Sequence, residues 1–339
     1  MQVLVTGGAG FIGSHSVEAL LADGAQVTVL DNFSAGKRSN LPESESHAQL
    51  RIIEGDVRDP STVAEAMSGA SHVLHLAAQI SVQVSVQQPV DSCHHNVVGF
   101  LNVLDCARRM KVRRMVYASS AAVYGTPASL PLDEASPVAP ISPYGLEKSI
   151  DDQYARLFRD LYGFPAIGMR YFNVYGPRQD PSSQYAGVIS KFADAITSGS
   201  KLRIFGDGGQ TRDFVFVKDI ARMNLRALKC DELLAGVCNI GTGRPVSLLD
   251  LVDALERCAG KRADRGFEPP APGDIRDSRM SPRRQEEWFA DRPATSLDAG
   301  LTALLAHTGH ADGSDGSDGS GGAGGAGGAS GASGAGKAA

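Results

Sequence analysis

The chain has 339 residues, 42% of them hydrophobic and 21% charged, with 38 acidic against 33 basic side chains and a net charge of −5. That length supports one large or two modest cores, and the acidic balance argues against a nucleic-acid surface, so no nucleic-acid partner is expected. No stretch reaches the ~20 apolar residues of a membrane span, and Gln2 already opens a core strand, which predicts neither a membrane partner nor a signal peptide.

Strand-like and helix-like runs alternate through the first half. Val3–Val5, Gln26–Leu30, Leu50–Glu54, His72–Leu76, Arg114–Ala118 and Ala166–Arg170 read as strands. Between them, Phe11–Leu21, Pro60–Met67, Cys93–Met110 and Pro143–Tyr162 have helical period or length. Such alternation predicts an α/β fold with a Rossmann-type, doubly wound parallel sheet. After about Arg170 the pattern loosens. A helix over Val188–Thr197, strands at Leu202–Phe205, Asp213–Val217 and Val237–Ile240, and helices at Lys218–Lys229 and Ser247–Cys258 predict a smaller α/β domain. The expected division is a dinucleotide-binding domain over 1–170, to which the chain returns around 213–245, and a substrate domain over 171–309. From 310 to 339 the composition becomes Gly, Ala, Ser and Asp, which predicts a disordered tail. Cys93, Cys106, Cys230, Cys238 and Cys258 form no C-x-x-C pair or metal spacing, so reduced thiols in a cytoplasmic protein and no bound metal are expected.

Two motifs carry most of the chemistry. Thr6-Gly7-Gly8-Ala9-Gly10-Phe11-Ile12-Gly13 joins the first strand to the first helix. Glycines there let backbone approach a pyrophosphate, and the helix N-terminus supplies N–H groups and positive dipole. Asp31 closes the second strand 18 residues after Gly13, placed to accept from an adenosine ribose and to repel a 2′-phosphate. NAD is therefore expected rather than NADP, with Lys37 and Arg38 nearby tempering the exclusion. Asn32, the pair Asp56-Val57 after the third strand, and Leu76-Ala77-Ala78 after the fourth are further cofactor candidates. Tyr144-Gly145-Leu146-Glu147-Lys148 places a phenol and an ammonium one helical turn apart on one face. Ser142 followed by Pro143 reads as an N-cap and first helical residue, so Tyr144 lies in the first turn. Ser120, at the carboxyl end of the fifth strand, completes a proton-handling set. The ammonium favours the phenolate, which then takes a proton from a hydroxyl that Ser120 steers.

These motifs, with Tyr171-Phe172-Asn173-Val174-Tyr175-Gly176-Pro177, resemble the extended short-chain dehydrogenase/reductases, and among them the UDP-hexose 4-epimerases, over about residues 1–305. The resemblance implies bound NAD, oxidation at C4, rotation of the 4-keto sugar and hydride return to its other face. It places Asn96 toward the nicotinamide and Tyr171 and Asn173 at the boundary of cofactor and sugar. Gly187-Val188 and Ile204-Phe205 become the uracil site, and Arg212 the diphosphate ligand. The lesser reading is that Arg212 merely pairs with Asp213 or Asp207 at the surface. Asp274 would contact the UDP ribose, while Ala271 replaces an arginine common in relatives, a loss that Arg276 either compensates or does not. Ser278 corresponds to the wall beside the sugar C2 substituent, where a small side chain admits an N-acetyl group. UDP-GlcNAc and UDP-GalNAc are thus expected beside UDP-glucose and UDP-galactose.

Departures from the wider group narrow the chemistry. The 4,6-dehydratases carry Asp and Glu directly after the strand-end Thr, where this chain has Ala121 and Ala122. The UDP-glucuronate decarboxylases carry Glu at the position of Ala122. Alanine can do neither acid nor base work. A UDP-glucuronate 4-epimerase is the competing enzyme reading, and a non-catalytic NAD sensor is a third. The helices Cys93–Met110 and Pro143–Tyr162 resemble the pair that relatives use in an intersubunit four-helix bundle, which implies a homodimer.

Overall fold

The computed structural model describes residues 1–43, 47–179, 187–230, 234–270 and 275–311. The first half alternates as its periodicity requires: β1 (Gln2–Thr6), α1 (Phe11–Ala22), β2 (Gln26–Asp31), β3 (Leu50–Glu54), α2 (Pro60–Met67) and β4 (His72–His75). There follow α3 (Val82–Gln87), α4 (Pro89–Cys93), a π-helical turn over His94–Val98, α5 (Gly99–Arg109), β5 (Arg114–Ser120), α6 (Pro143–Tyr162) and β6 (Ala166–Tyr171). The helix expected from Cys93 to Met110 therefore begins earlier, at Pro89, and carries a wide turn within it.

β7 (Asn173–Tyr175), α7 (Val188–Ser198), β8 (Leu202–Phe205), β9 (Thr211–Phe216) and α8 (Val217–Lys229) come next. The described chain closes with β10 (Gly236–Ile240), β11 (Pro245–Ser247), α9 (Leu248–Ala259), β12 (Arg265–Glu268), α10 (Arg283–Phe289) and α11 (Leu297–Ala311). The tail expected from residue 310 lies outside the described residues beyond Ala311.

The main sheet has seven strands in the order β10-β6-β5-β4-β1-β2-β3. All its pairings are parallel, as right-handed crossovers through helices produce. Strand order reverses between β1 and β4, and a crevice opens at the carboxyl ends of the strands there. One face of the sheet packs on α1 and α8 through Val17, Leu20, Ile220 and Met223. The other packs on α2, α5 and α6 through Val63, Phe100, Val103 and Ala155. The return to this sheet, expected around 213–245, is made by α8 and β10. β9 instead joins a three-stranded sheet, β11-β9-β7. That small sheet, the β8–β12 pair, α7, α9 and α11 enclose a second core around Phe192, Phe214, Leu251 and Leu301.

One buried pair fixes the helix that matters most. Arg170 of β6 meets Asp152 of α6 at 2.9 Å, donates to the Tyr124 hydroxyl at 2.8 Å and lies over its ring. Tyr117 of β5 donates to the same Asp152 at 3.0 Å. Helix α6 is thereby bolted to two strands one turn beyond Lys148. Among the described residues no helix is long and apolar enough to cross a membrane. All five cysteines are free.

Candidate active site

The cofactor end is built on close backbone approach. Gly7 has φ +68°, and a Cβ on it would meet the Ala77 nitrogen at 2.6 Å. A Cβ on Gly13 would meet the Gly7 carbonyl oxygen at 2.0 Å. The loop after β1 is thus pressed on both the strand end of β4 and the start of α1. Gly10 caps α1 without a side-chain hydrogen bond, and no acidic residue stands in its first turn. The N–H groups of Phe11, Ile12 and Gly13 consequently face the crevice with the helix dipole behind them, a cradle of the size and sign that a pyrophosphate needs. Asp31 accepts from the Ala9 and Phe33 N–H groups, each at 2.9 Å, so its carboxylate stands beside this cradle at the end of β2. These features fit a dinucleotide, with Asp31 oriented for a ribose diol.

Further from the loop the candidates divide. Asn32 donates to Asp56 at 3.0 Å, and Arg58 grips Asp56 with two further bonds, the nearer at 2.8 Å. That guanidinium holds the Asp56 carboxyl well below its usual range, with burial opposing. Val57 turns its side chain onto Gly99, where a Cβ would meet it at 2.8 Å, and so offers a ligand only backbone. Leu76 and Ala77 are tied to Thr6 through their N–H groups, and Ala78 follows them along the crevice wall.

The proton-handling set comes together where β5 meets α6. Ser142 caps α6, accepting the Gly145 N–H at 3.1 Å, and Pro143 opens its first turn. A Cβ on Gly145 would meet the Ala122 carbonyl oxygen at 2.6 Å. The first turn of α6, with Tyr144, therefore lies against the tight turn Ala121–Tyr124 that follows Ser120. Ser120 accepts the Ala122 N–H at 3.1 Å, which leaves its hydroxyl proton to donate. The Tyr144 N–H is held by Ser85 Oγ of α3 at 3.1 Å. Lys148, one turn on, is 2% exposed, and its Nζ lies 3.1 Å from Asp151. Burial alone would lower that ammonium's pKa, but Asp151 and the Tyr144 hydroxyl outweigh it and raise it, so Lys148 is cationic.

Three of the candidates have side chains engaged within the protein. Asn96 spends both amide protons inside the protein, on the Gln79 carbonyl at 2.8 Å and on Glu147 at 2.6 Å, and accepts the Gln79 N–H at 2.8 Å. These bonds tie it to the loop after β4. Tyr171 turns its phenol away from the crevice to donate to Asn224 of α8 at 2.6 Å, and burial pushes its pKa well above the usual phenol range. Ile204 is fully buried in the second core, because strand alternation sends Leu202 and Ile204 inward. Only Phe205, 48% exposed, presents a side-chain wall.

At the substrate end, Gly187 caps α7 without a side chain to occupy its N–H groups, and Val188 follows as the first helical residue. Asn173 of β7 is partly buried against β9. Arg212 donates to the Thr211 carbonyl at 2.8 Å, while Asp213 accepts from Thr242, Gly243 and Met280, and Asp207 pairs with Arg276. Arg212 also donates to the Arg276 carbonyl at 3.4 Å. Ser278, partly buried, donates its N–H to the Thr211 carbonyl at 3.2 Å, one residue from Arg212. Ala271 and Asp274 lie outside the described residues.

Several supporting residues escaped the sequence reading. Gly36 packs on Ala9, where a Cβ would come within 2.7 Å, and Asn40 donates to the Ala9 carbonyl at 2.9 Å. Glu147, Asp151 and Asp152 form a buried acidic stretch around Lys148. The spacing of Asp152 four residues after Lys148, on the face that Tyr144 shares, was the available signal.

A sheet that presses a glycine loop against its switch point, and gathers a serine, a phenol and an ammonium beside it, belongs to a dinucleotide-dependent enzyme. The family profile described as NAD dependent epimerase/dehydratase matches residues 3–241, and the chain belongs to that family. It is an NAD-dependent epimerase. A UDP-glucose 4-epimerase of Mycolicibacterium smegmatis is 38% identical over 309 residues, 89% of this chain and 96% of that protein. A UDP-N-acetylglucosamine 4-epimerase from Methanobrevibacter ruminantium, solved with UDP-N-acetylmuramic acid, superposes with a TM-score of 0.87 at 34% identity, covering 91% of this chain and 98% of that one. The Thermus thermophilus UDP-glucose 4-epimerase, solved with NAD, gives 0.82 at 39% identity over 91% and 98%.

Proposed function

We propose that the protein is a UDP-hexose 4-epimerase that accepts UDP-GlcNAc and UDP-GalNAc as well as UDP-glucose and UDP-galactose. The observation that supports this reading is the packing of Gly145 on Ala122, which sets the first turn of α6, with Tyr144, against the turn after Ser120. Ser120 and Tyr144 hold the oxygen of the sugar C4 hydroxyl, and the Tyr144 phenolate takes its proton as C4 is oxidised. Lys148 supplies a buried cation one helical turn from that phenol. When bound, NAD supplies a reversible acceptor for the hydride of the same carbon. After the 4-keto sugar turns its other face, Tyr144 returns the proton to the carbonyl oxygen. Ala121 and Ala122 bring neither acid nor base, so the reaction ends at inversion rather than elimination.

Arg212 is assigned to the diphosphate, the N-terminus of α7 and Phe205 to the base, and Ser278 to the sugar C2 wall. The bond from the Ser278 N–H to the carbonyl of Thr211, the residue before Arg212, supports that assignment. Purified protein is expected to release NAD on denaturation and to interconvert UDP-GlcNAc and UDP-GalNAc. Turnover of UDP-glucuronate alone would refute the substrate assignment. Ser278→Tyr is expected to cut kcat/KM for the N-acetylated sugars at least ~100-fold more than for UDP-glucose, since a filled pocket rejects bulk sterically. Equal losses on both would remove Ser278 from that wall.

The working unit is proposed to be a homodimer. Val86 and Val90 on α3 and α4, and Leu157 and Leu161 on α6, are exposed apolar side chains, Val90 being 72% exposed. Such side chains on packed helices suit a second copy of the chain. Light scattering is expected to return twice the chain mass, and Val90→Glu with Leu161→Glu to return the monomer. A wild-type monomer at micromolar concentration would overturn the assignment.

A further inference from the structure

Lys148 has a neighbour that the proposed mechanism leaves unused. Positions 144, 148 and 151 recur at helical spacing on one face of α6, so the ammonium stands between a phenol and a carboxylate. Lys148 and Asp151 are both buried, and only Asp151 Oδ2 is on Lys148, at 3.1 Å. Asp151 Oδ1 is buried with no hydrogen-bond partner among the described residues. An unpaired oxygen of this kind is costly in a stable interior, which directs attention to a role in the site.

The other groups around the pair are committed elsewhere. On α6, Asp152 is taken by Arg170 of β6 and by Tyr117 of β5. Glu147 accepts from Ser92 and Asn96, which are neutral. His75 of β4 bonds Thr6 at 2.8 Å, and burial, then Lys148, push its pKa down to about 3, so it carries no charge. Ser119 of β5 is buried and neutral. The Cys93 thiol of α4 is pushed up by burial, then by Glu147 and Asp151, and stays protonated. Lys148 is therefore left with two groups to answer, Tyr144 on one side and Asp151 on the other.

We propose, on the reading of Tyr144 and Lys148 given above, that Asp151 is a positioning residue that fixes the ammonium and divides its charge between a carboxylate and the phenol. With Asp151 ionised, much of the field that Lys148 directs at Tyr144 is cancelled. With Asp151 neutral, the phenolate feels the full cation. Burial raises the Asp151 carboxyl against the opposing pull of Lys148. The acid limb of activity is then set by three side chains of one helix.

Asp151→Asn keeps the shape and a partner for Lys148 but removes the negative charge. Ionisation of Tyr144 becomes easier, so the acid limb of the kcat–pH profile is expected to move to lower pH by about one unit, a roughly tenfold change in phenolate at fixed pH. Phenolate absorbance of the NAD-loaded protein, taken as a difference against Tyr144→Phe, is expected to move in the same direction. Asp151→Ser, which also removes the charge, serves if the asparagine variant does not fold, with the same expected shift. A limb and an absorbance midpoint that stay in place in a folded variant overturn the role of Asp151. A shift to higher pH overturns it as well. Tyr144→Phe is assayed alongside. If it is inactive while the Asp151 limb is unmoved, only the charge-dividing role falls, whereas near-normal turnover in Tyr144→Phe removes the catalytic reading and this inference with it.

Discussion

Tyr144→Phe is expected to fold as the wild type does and to lose ~10²- to 10⁴-fold in kcat, the usual worth of a positioned acid–base group. The two halves of that expectation have separate grounds. Tyr144 is held in place by its backbone, through Ser85, and by the first turn of α6, none of which the substitution touches. Its hydroxyl makes no hydrogen bond to another described residue, so deleting it leaves no orphaned partner. Function is different, because the phenol oxygen is the proposed proton acceptor and Lys148 acts through it. A variant with unchanged melting and near-normal turnover would take Tyr144 out of the reaction.

Arg170→Ala is expected to cost ~3–5 kcal/mol in stability, the range for stripping one partner from a buried ion pair. Asp152 would be left beside Tyr117 with no cation to answer it, and burial already pushes its carboxyl up while Arg170 pulls it down. Tyr124 would lose both its hydrogen-bond donor and the guanidinium over its ring. Urea unfolding reads the loss directly. Because Asp152 sits four residues beyond Lys148, the same variant is expected to lower kcat. The double variant Arg170→Ala with Asp152→Ala is expected to lose less than the sum of the two single losses, since neither charge is then stranded. Additive losses would mean that the two residues do not act as a pair.

Much of this site was legible because its signals are local. The glycine loop, Asp31 and the Tyr144–Lys148 spacing each depend on a few neighbouring residues, and the parallel pairing of the sheet follows from alternation of strand and helix. The missing parts are those in which distant segments decide. Asp151 and Asp152 look like solvated charges on a surface helix until β6 supplies Arg170 from beyond the next loop. Asn96 was placed near the nicotinamide by resemblance. The wide turn His94–Val98, invisible in an unbroken helical pattern, accompanies its bonds to Gln79 and Glu147. Leu202 and Ile204 share a strand face, and the period of two assigns their side chains to the core together. Gly145 read as a spacer, although its missing side chain is what lets α6 close on the turn after Ser120.

The place of β10 in the sheet has a consequence for how the polypeptide is made. A nascent chain that has emerged only through Tyr175 presents β6, all six of whose residues are buried in the finished protein, as an open edge with nothing alongside. That edge stays bare until Gly236–Ile240 leaves the ribosome. The main sheet therefore cannot be completed before the chain from β7 to β10 has been made, and its β6 edge needs protection from other chains over that stretch of translation.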